Sequence, residues 1–341
     1  MGKIGYILSQ VKGMDYSRMW ETAKTVHRRC GKNTLAALLD IAWCGYKYMA
    51  GYMDYLVFEF YTLNSAQRAT YITRGVNNRY VKTLNSPEYW DLFNDKIAFN
   101  RRFSAYLHRD WLNLQEASLG DFEAFLQGKE KIVAKPVDAS CGNGVVIPQG
   151  EELKDPAALY ARLKANGQVL VEDFVVQHHK IQELYGGSVN TIRMVTIKGH
   201  LVFAAIRVGN GKFVDNLNSG GMTTVVDLNT GVIRKPALDK ALNLYEKHPI
   251  SGVSFLGFEI PFFPQCVQLV EQAALEVPQM GYIGWDVAIT EEGPLLIEAN
   301  QFPGHDIYQF QPHLDNGIGL KPAFDRAIQQ GWSSPEAQTP A

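Results

Sequence analysis

The chain has 341 residues, 46% of them hydrophobic, enough to bury one large core or two to three smaller ones. A formal charge of −2 and a pI near 6.5 give no electrostatic footprint for nucleic acid or an anionic membrane. The opening Met1-Gly2-Lys3-Ile4-Gly5-Tyr6 lacks both the apolar run of a signal peptide and the Ser or Thr that N-myristoylation wants at position 6.

Residues 1–92 are predicted to form a helical N-terminal domain. Apolar residues recur at helical spacing over Thr34–Ala50 and Tyr52–Leu63, with Asn33 as N-cap. Asp40, Lys47, Asp54 and Glu59 interrupt this apolar region, so it reads as buried helices and excludes a membrane span. The domain is rich in Tyr and Trp and holds no metal or nucleophile constellation, which favours packing, with the option of forming one wall of a substrate pocket. Cys30, Cys44, Cys141 and Cys266 are widely spaced without a CxxC, as expected of reduced thiols in a cytoplasmic protein, and Cys141 is by default a small loop residue.

The character changes at Asn94–Phe103, and residues 93–330 are expected to form a second domain. A helix is predicted near Leu119–Gln127, then a strand over Lys131–Lys135, stopped by Pro136. Residues 137–147 follow: small and polar, with Gly142 and Gly144, then a β-branched strand. Such a loop can wrap backbone N–H groups around phosphate oxygens, although a Gly-x-Gly hairpin is also an ordinary turn. It is neither a Walker A loop nor a dinucleotide fingerprint. Lys135 just ahead of it is either a cation for a phosphate or a surface lysine at a strand end.

A helix at Asp155–Ala165 leads to a strand at 168–176. A hairpin is predicted from 188–197 and 201–208 across Lys198-Gly199-His200, each strand carrying an arginine, Arg193 or Arg207. Arginines on a sheet beside an anion suit phosphate or carboxylate recognition. His178, His179 and Lys180 read as surface residues rather than a metal site. A second hairpin runs through 227–231, and an amphipathic helix occupies Pro264–Pro278.

A third hairpin, Trp285 to Asn300, turns at Glu-Gly-Pro. Alternation assigns Trp285, Val287, Ile289, Leu295, Ile297 and Ala299 to an apolar face, and Asp286, Ala288, Leu296, Glu298 and Asn300 to the other. With a five-residue loop, Asp286 stands opposite Glu298. Opposed carboxylates repel. A hard divalent cation would compensate, with Asn300 as a neutral oxygen ligand, whereas a solvated polar face is the competing reading. A helix near Leu320–Gln329 and a tail over 331–341 complete the chain.

Taken in order, Lys96, Lys135-Pro136 before the glycine loop, Val171-Glu172-Asp173-Phe174-Val175, Arg207…Asn216…Gly220-Gly221 and Asp286…Glu298-x-Asn300 resemble the ATP-grasp superfamily over roughly residues 90–325. Ser188-Val189-Asn190-Thr191-Ile192-Arg193 and Ile283-Gly284-Trp285-Asp286 are similar to its sugar-transfer-associated subgroup, and the Arg207-to-Gly221 spacing resembles the glutathione synthetase and ribosomal-protein glutamate ligase branch. The resemblance implies an α+β ATP-grasp fold, two subdomains sandwiching the nucleotide, with about 129–177 covering it, and a helical N-terminal extension.

The resemblance also implies site roles. Lys96 and Lys135 would contact phosphates, and the loop with Ser140, Cys141, Gly142 and Gly144 would cover them. Glu172 and the backbone near Phe174 and Val175 would hold adenine, with Gln177 or His178 nearest the ribose in place of the glutamate of many relatives. Asp286, Glu298 and Asn300 would carry Mg²⁺, with Mn²⁺ as a substitute. Arg193 and Arg207, together with Asn216, would form the catalytic set.

The function expected is ATP-dependent carboxylate–amine ligation through an acyl phosphate, releasing ADP and phosphate. Its substrates would be small-molecule acids and amines, glycoconjugates and peptides included. ATP-dependent phosphotransfer to a small-molecule or sugar hydroxyl is the alternative, and a nucleotide-binding scaffold without turnover is a third reading. Oligomeric state is left open by the sequence.

Overall fold

The computed structural model describes residues 15–138 and 143–332. Its contacts divide the chain into two compact units, Met1–Thr83 with Gly304–Gln329, and Leu84–Pro303 with Gln330–Ala341. The sequence reading instead divided the chain at 92/93 and kept 304–330 with the larger part.

The smaller unit is helical. Asp15 accepts a hydrogen bond from the Arg18 N–H to start the helix Tyr16–Cys30, which Gly31 ends in the left-handed region at φ 73°. Asn33 caps Thr34–Tyr48, as predicted, by accepting from the N–H groups of Leu35 and Ala36. Ala37, Ile41, Cys44, Tyr55, Phe58, Phe60 and Tyr71 fill its core. Asp40 is held there by Arg68 at 2.8 Å, Lys32 at 2.6 Å and the Tyr55 hydroxyl at 2.7 Å.

The returning segment is bound into this unit by buried polar contacts. The Gln309 carboxamide accepts from the Ile72 N–H at 2.8 Å and donates to the Ile72 carbonyl at 3.0 Å. His305 Nε2 reaches Asp54 Oδ1 at 2.8 Å. The helix Lys321–Gln330 then buries Phe324 and Ala327.

The larger unit contains two antiparallel sheets. The first has three strands, β1 (Trp111–Asn113), β2 (Ile132–Lys135) and β3 (Leu170–Asp173), in the order β1-β3-β2. The helices Leu119–Leu126 and Pro156–Ala165 supply its core through Phe122, Leu126, Leu159 and Leu163. Of the strand predicted over 168–176, only β3 pairs. Its continuation is irregular chain lining a cleft.

The second sheet has seven strands: β4 (Thr191–Ile197), β5 (His200–Val208), β6 (Met222–Val225), β7 (Ala237–Leu238), β8 (Leu244–Tyr245), β9 (Tyr282–Thr290) and β10 (Gly293–Asn300). Their order is β10-β9-β4-β5-β6-β7-β8. The helix Phe263–Leu275 packs on one face through Cys266, Leu269, Val270, Ala273 and Ala274. Trp285 sits in this core, fully buried, edge-on to Phe103 with ring centroids 5.4 Å apart.

The β9–β10 hairpin corrects the predicted faces. Its loop is the two-residue Glu291-Glu292, and Val287 pairs with Leu296. Leu296 therefore joins Trp285, Val287 and Ile289 in the core, while Leu295 and Ala288 occupy the other face with Val175 and Ile297. A bulge between Leu296 and Glu298 inserts Ile297 as an extra residue and restores the predicted phase. Asp286 thus faces Glu298 as expected, by way of a shorter turn and a bulge.

Candidate active site

Sheet register assembles the site. Arg193 on β4 pairs with Asp286 on β9, which pairs with Glu298 on β10, so the three form one row across three strands. Arg207 on β5 pairs with Thr191, two residues along β4 from Arg193 and on the same side of the sheet. All four ionisable groups line a cavity of about 560 Å³, together with Lys96, Lys135, Glu172, Phe174, Val175, Gln177, Asp215, Asn216 and Asn300.

Asp286 is buried, and both arginines reach it. Arg193 Nε and Nη2 bind its two oxygens at 2.5 and 3.1 Å, and Arg207 Nη2 binds Oδ2 at 2.8 Å. Burial raises its carboxyl, but Arg193 and Arg207 outweigh that and hold it below the ordinary carboxylate range. Glu298 has the opposite balance. Burial and the neighbouring Asp286 charge push its carboxyl up, against the weaker pull of Arg207, Lys135 and Arg193. The Asn300 carboxamide makes no hydrogen bond among the described residues. One anionic and one destabilised carboxylate beside an available amide oxygen fit a hard divalent cation, which would favour the ionised form of Glu298.

A second cluster forms on the three-stranded sheet. Glu172 is buried and accepts from Asn100 Nδ2 at 2.7 Å and Arg109 Nη2 at 2.9 Å, with Lys135 paired to its other oxygen. Burial opposes ionisation there, yet Arg109 and Lys135 bring the carboxyl down to about 2. Lys96 begins the helix Lys96–Arg102, capped by Asp95, and its amine bonds the Val137 carbonyl at 3.2 Å. Burial lowers its affinity for the proton.

Ser140, Cys141 and Gly142 lie outside the described residues. Gly144 sits at φ +73°, where an added Cβ would approach Pro136 Cγ to 2.8 Å, so the turn back over Pro136 requires glycine. Phe174 stacks under the Lys131 ammonium, 3.7 Å from its ring centroid. Val175, Ala288 and Leu295 with Ile297 form an apolar cluster, and Val175 and Ile297 reach the cavity from it.

Gln177 and His178 occupy different positions. The Gln177 carboxamide accepts from the Asn190 N–H and donates to the Ser188 carbonyl, fixing the entry to β4 from the cavity edge. His178 is not among the cavity residues. Its Nδ1 accepts from the Lys180 N–H, and Nε2 faces Glu291 at 3.6 Å. Asn216 caps the turn Leu217–Ser219 by accepting from the Asn218 N–H.

Sequence reasoning passed over Arg109, Asn100, Thr191 and Asp215. Asp215 accepts from the Thr191 N–H and hydroxyl at 2.9 and 2.5 Å and lies 3.6 Å from Arg207 Nε, which orients that guanidinium. It adjoins Asn216, so the Arg207-to-Gly221 run carried a local signal for it. Arg109 had none, because it meets Glu172 only through the fold.

No curated protein matches the sequence. Among solved structures, the chain is similar to the ATP-grasp ligase PsnB complexed with minimal precursor, at 15% identity and TM-score 0.44, over 78% of this chain and 71% of that one. It is also similar to D-cycloserine synthetase DcsG, at 13% and 0.45 over 75% and 77%. A third likeness is to D-alanine–D-alanine ligase from Bacillus anthracis, at 14% and 0.43 over 74% of each chain. Likeness at that distance says nothing about substrates. The sequence profile described as sugar-transfer associated ATP-grasp matches residues 75–327, most of the chain. The chain belongs to the sugar-transfer-associated ATP-grasp family, with an α+β ATP-grasp fold.

Proposed function

We propose that the protein is an ATP-dependent carboxylate–amine ligase of the cytoplasm. The observation that supports this most is the row Arg193–Asp286–Glu298 with Arg207 beside it, opening into the same cavity as Lys96 and Lys135. A carboxylate acylates poorly because its leaving group would be oxide. Moving the γ-phosphoryl of ATP onto a carboxylate oxygen breaks the bond to ADP and gives an acyl phosphate. An amine then attacks the acyl carbon, the C–O bond to phosphate breaks, and the amine loses a proton to solvent.

Such a sequence asks the protein for positioning and charge neutralisation. In this reading Glu298, Asp286 and Asn300 hold Mg²⁺, which neutralises phosphate charge, and Mn²⁺ can replace it. Arg193 and Arg207 face the transferred phosphoryl. Both are prepositioned by Asp286, and Arg207 also by Thr191, at 2.7 Å from its hydroxyl. Lys96, from the start of its helix, and Lys135, from the three-stranded sheet, neutralise the nucleotide phosphates, and the Val175/Ile297 surface receives the adenine.

Hydroxylamine tests the reaction class. With Mg-ATP and a panel of carboxylic acids, including glycoconjugate and peptide acids, the expected products are ADP and an acid-dependent hydroxamate. ADP without hydroxamate, accompanied by a phosphate ester on a sugar or other hydroxyl, would replace ligation with phosphotransfer.

A further inference from the structure

Arg109 stands two residues before β1, and its side chain is only 3% exposed. Three backbone carbonyls and one carboxylate surround the guanidinium. Nη1 donates to the Leu296 and Leu107 carbonyls at 2.5 and 3.3 Å. Nη2 donates to Glu172 Oε1 at 2.9 Å and to the Ile297 carbonyl at 3.4 Å. β10 is the edge strand of its sheet and its bulge inserts Ile297, which leaves this stretch of backbone open to a side-chain donor. A planar fork pinned by backbone acceptors keeps one orientation, and here it aims its charge at Glu172.

Charge gives that orientation a consequence. Glu172 receives Asn100 and Arg109 on Oε1 and Lys135 on Oε2. Asn100 is neutral, so the cluster of Arg109, Lys135 and Glu172 holds two positive charges against one negative. Without Arg109 the remaining Lys135–Glu172 pair has no net charge. A lysine matched one to one by a buried carboxylate offers little to an anion. With Arg109 present, Glu172 is already compensated, and Lys135 keeps its charge for the cavity that it lines. Burial opposes the ionisation of Glu172, and the Arg109 charge is the largest single pull that overcomes it. Arg109 itself is covered, so it acts through its neighbours.

We propose that Arg109 is a positioning residue of the nucleotide site, the fixed counter-charge to Glu172 that leaves Lys135 to bind phosphate; this rests on the reading of Lys135 as a phosphate ligand. The test is calorimetric titration of a non-hydrolysable ATP analogue and of adenosine into wild type, Lys135→Gln, Arg109→Gln and Arg109→Gln/Glu172→Gln. The ratio of analogue to adenosine affinity isolates the phosphate contacts from any general loosening of the site. Lys135→Gln and Arg109→Gln should each lower that ratio by about tenfold or more. The double variant removes the carboxylate together with its counter-charge, so no buried anion is stranded, and its ratio should return to within about threefold of wild type. A ratio lowered by Lys135→Gln but unchanged by Arg109→Gln would overturn the proposal and leave the phosphate role of Lys135 standing. A double variant as impaired as Lys135→Gln would overturn it too, whether or not Arg109→Gln folds. An unchanged ratio in Lys135→Gln would overturn the phosphate reading of that lysine, and this proposal with it.

Discussion

Glu172 illustrates how a single side chain carries stability and site geometry together. Asn100, Arg109 and Lys135 converge on it, and its carboxyl falls from an ordinary 4.5 to about 2. A depressed carboxyl contributes stability in full above its unfolded value and loses it as pH falls through the folded one. The contribution from Glu172 is therefore present above about pH 4.5 and disappears toward pH 2, on the order of 3 kcal/mol. Denaturant melts across this window should show the loss in wild type, and Glu172→Gln should be less stable at neutral pH and flatter below it. At the sheet row, Arg193→Ala should reduce turnover by about 10²–10³-fold, read as ADP release with the fold intact by circular dichroism.

The β9–β10 hairpin shows what alternation in a sequence can and cannot reveal. The opposition of Asp286 and Glu298 was legible because two apolar runs around a turn have few registers. The bulge at Ile297 was not, since nothing in Leu-Ile-Glu-Ala-Asn distinguishes a continuous strand from one with an inserted residue, and the faces of Leu295 and Leu296 were exchanged as a result. Deleting Ile297 should remove the bulge and leave Leu296–Val287 and Glu298–Asp286 as consecutive pairs of an unbroken ladder. The expected outcome is that ADP release survives and the melting temperature does not fall, because Glu298 stays opposite Asp286 and Ala299 stays in the core. Gly144 belongs to the same scale. Gly144→Val would meet Pro136 at a positive φ, and should weaken nucleotide binding in calorimetry while the melting temperature changes little.

At the scale of the molecule, motif order along the chain disclosed the α+β architecture and the family, because Lys96, Lys135, Glu172, Arg207 and the Asp286/Glu298/Asn300 set follow one another as elements of one fold. The grouping of 304–329 with the N-terminal helices was not legible. It rests on contacts such as Gln309 to Ile72 and His305 to Asp54, made across more than two hundred residues of chain. Gln309→Ala would leave a buried N–H and C=O without their hydrogen bonds, and should lower the unfolding free energy from denaturant melts by about 1–3 kcal/mol. The charged clusters that line the cavity, by contrast, lie wholly in the larger unit. The most direct measurement is calorimetric titration of a non-hydrolysable ATP analogue into wild type and Glu298→Gln, each with and without Mg²⁺. The account predicts that Mg²⁺ tightens binding by about tenfold or more in wild type and by nothing measurable in Glu298→Gln. An equal gain in both proteins would contradict it.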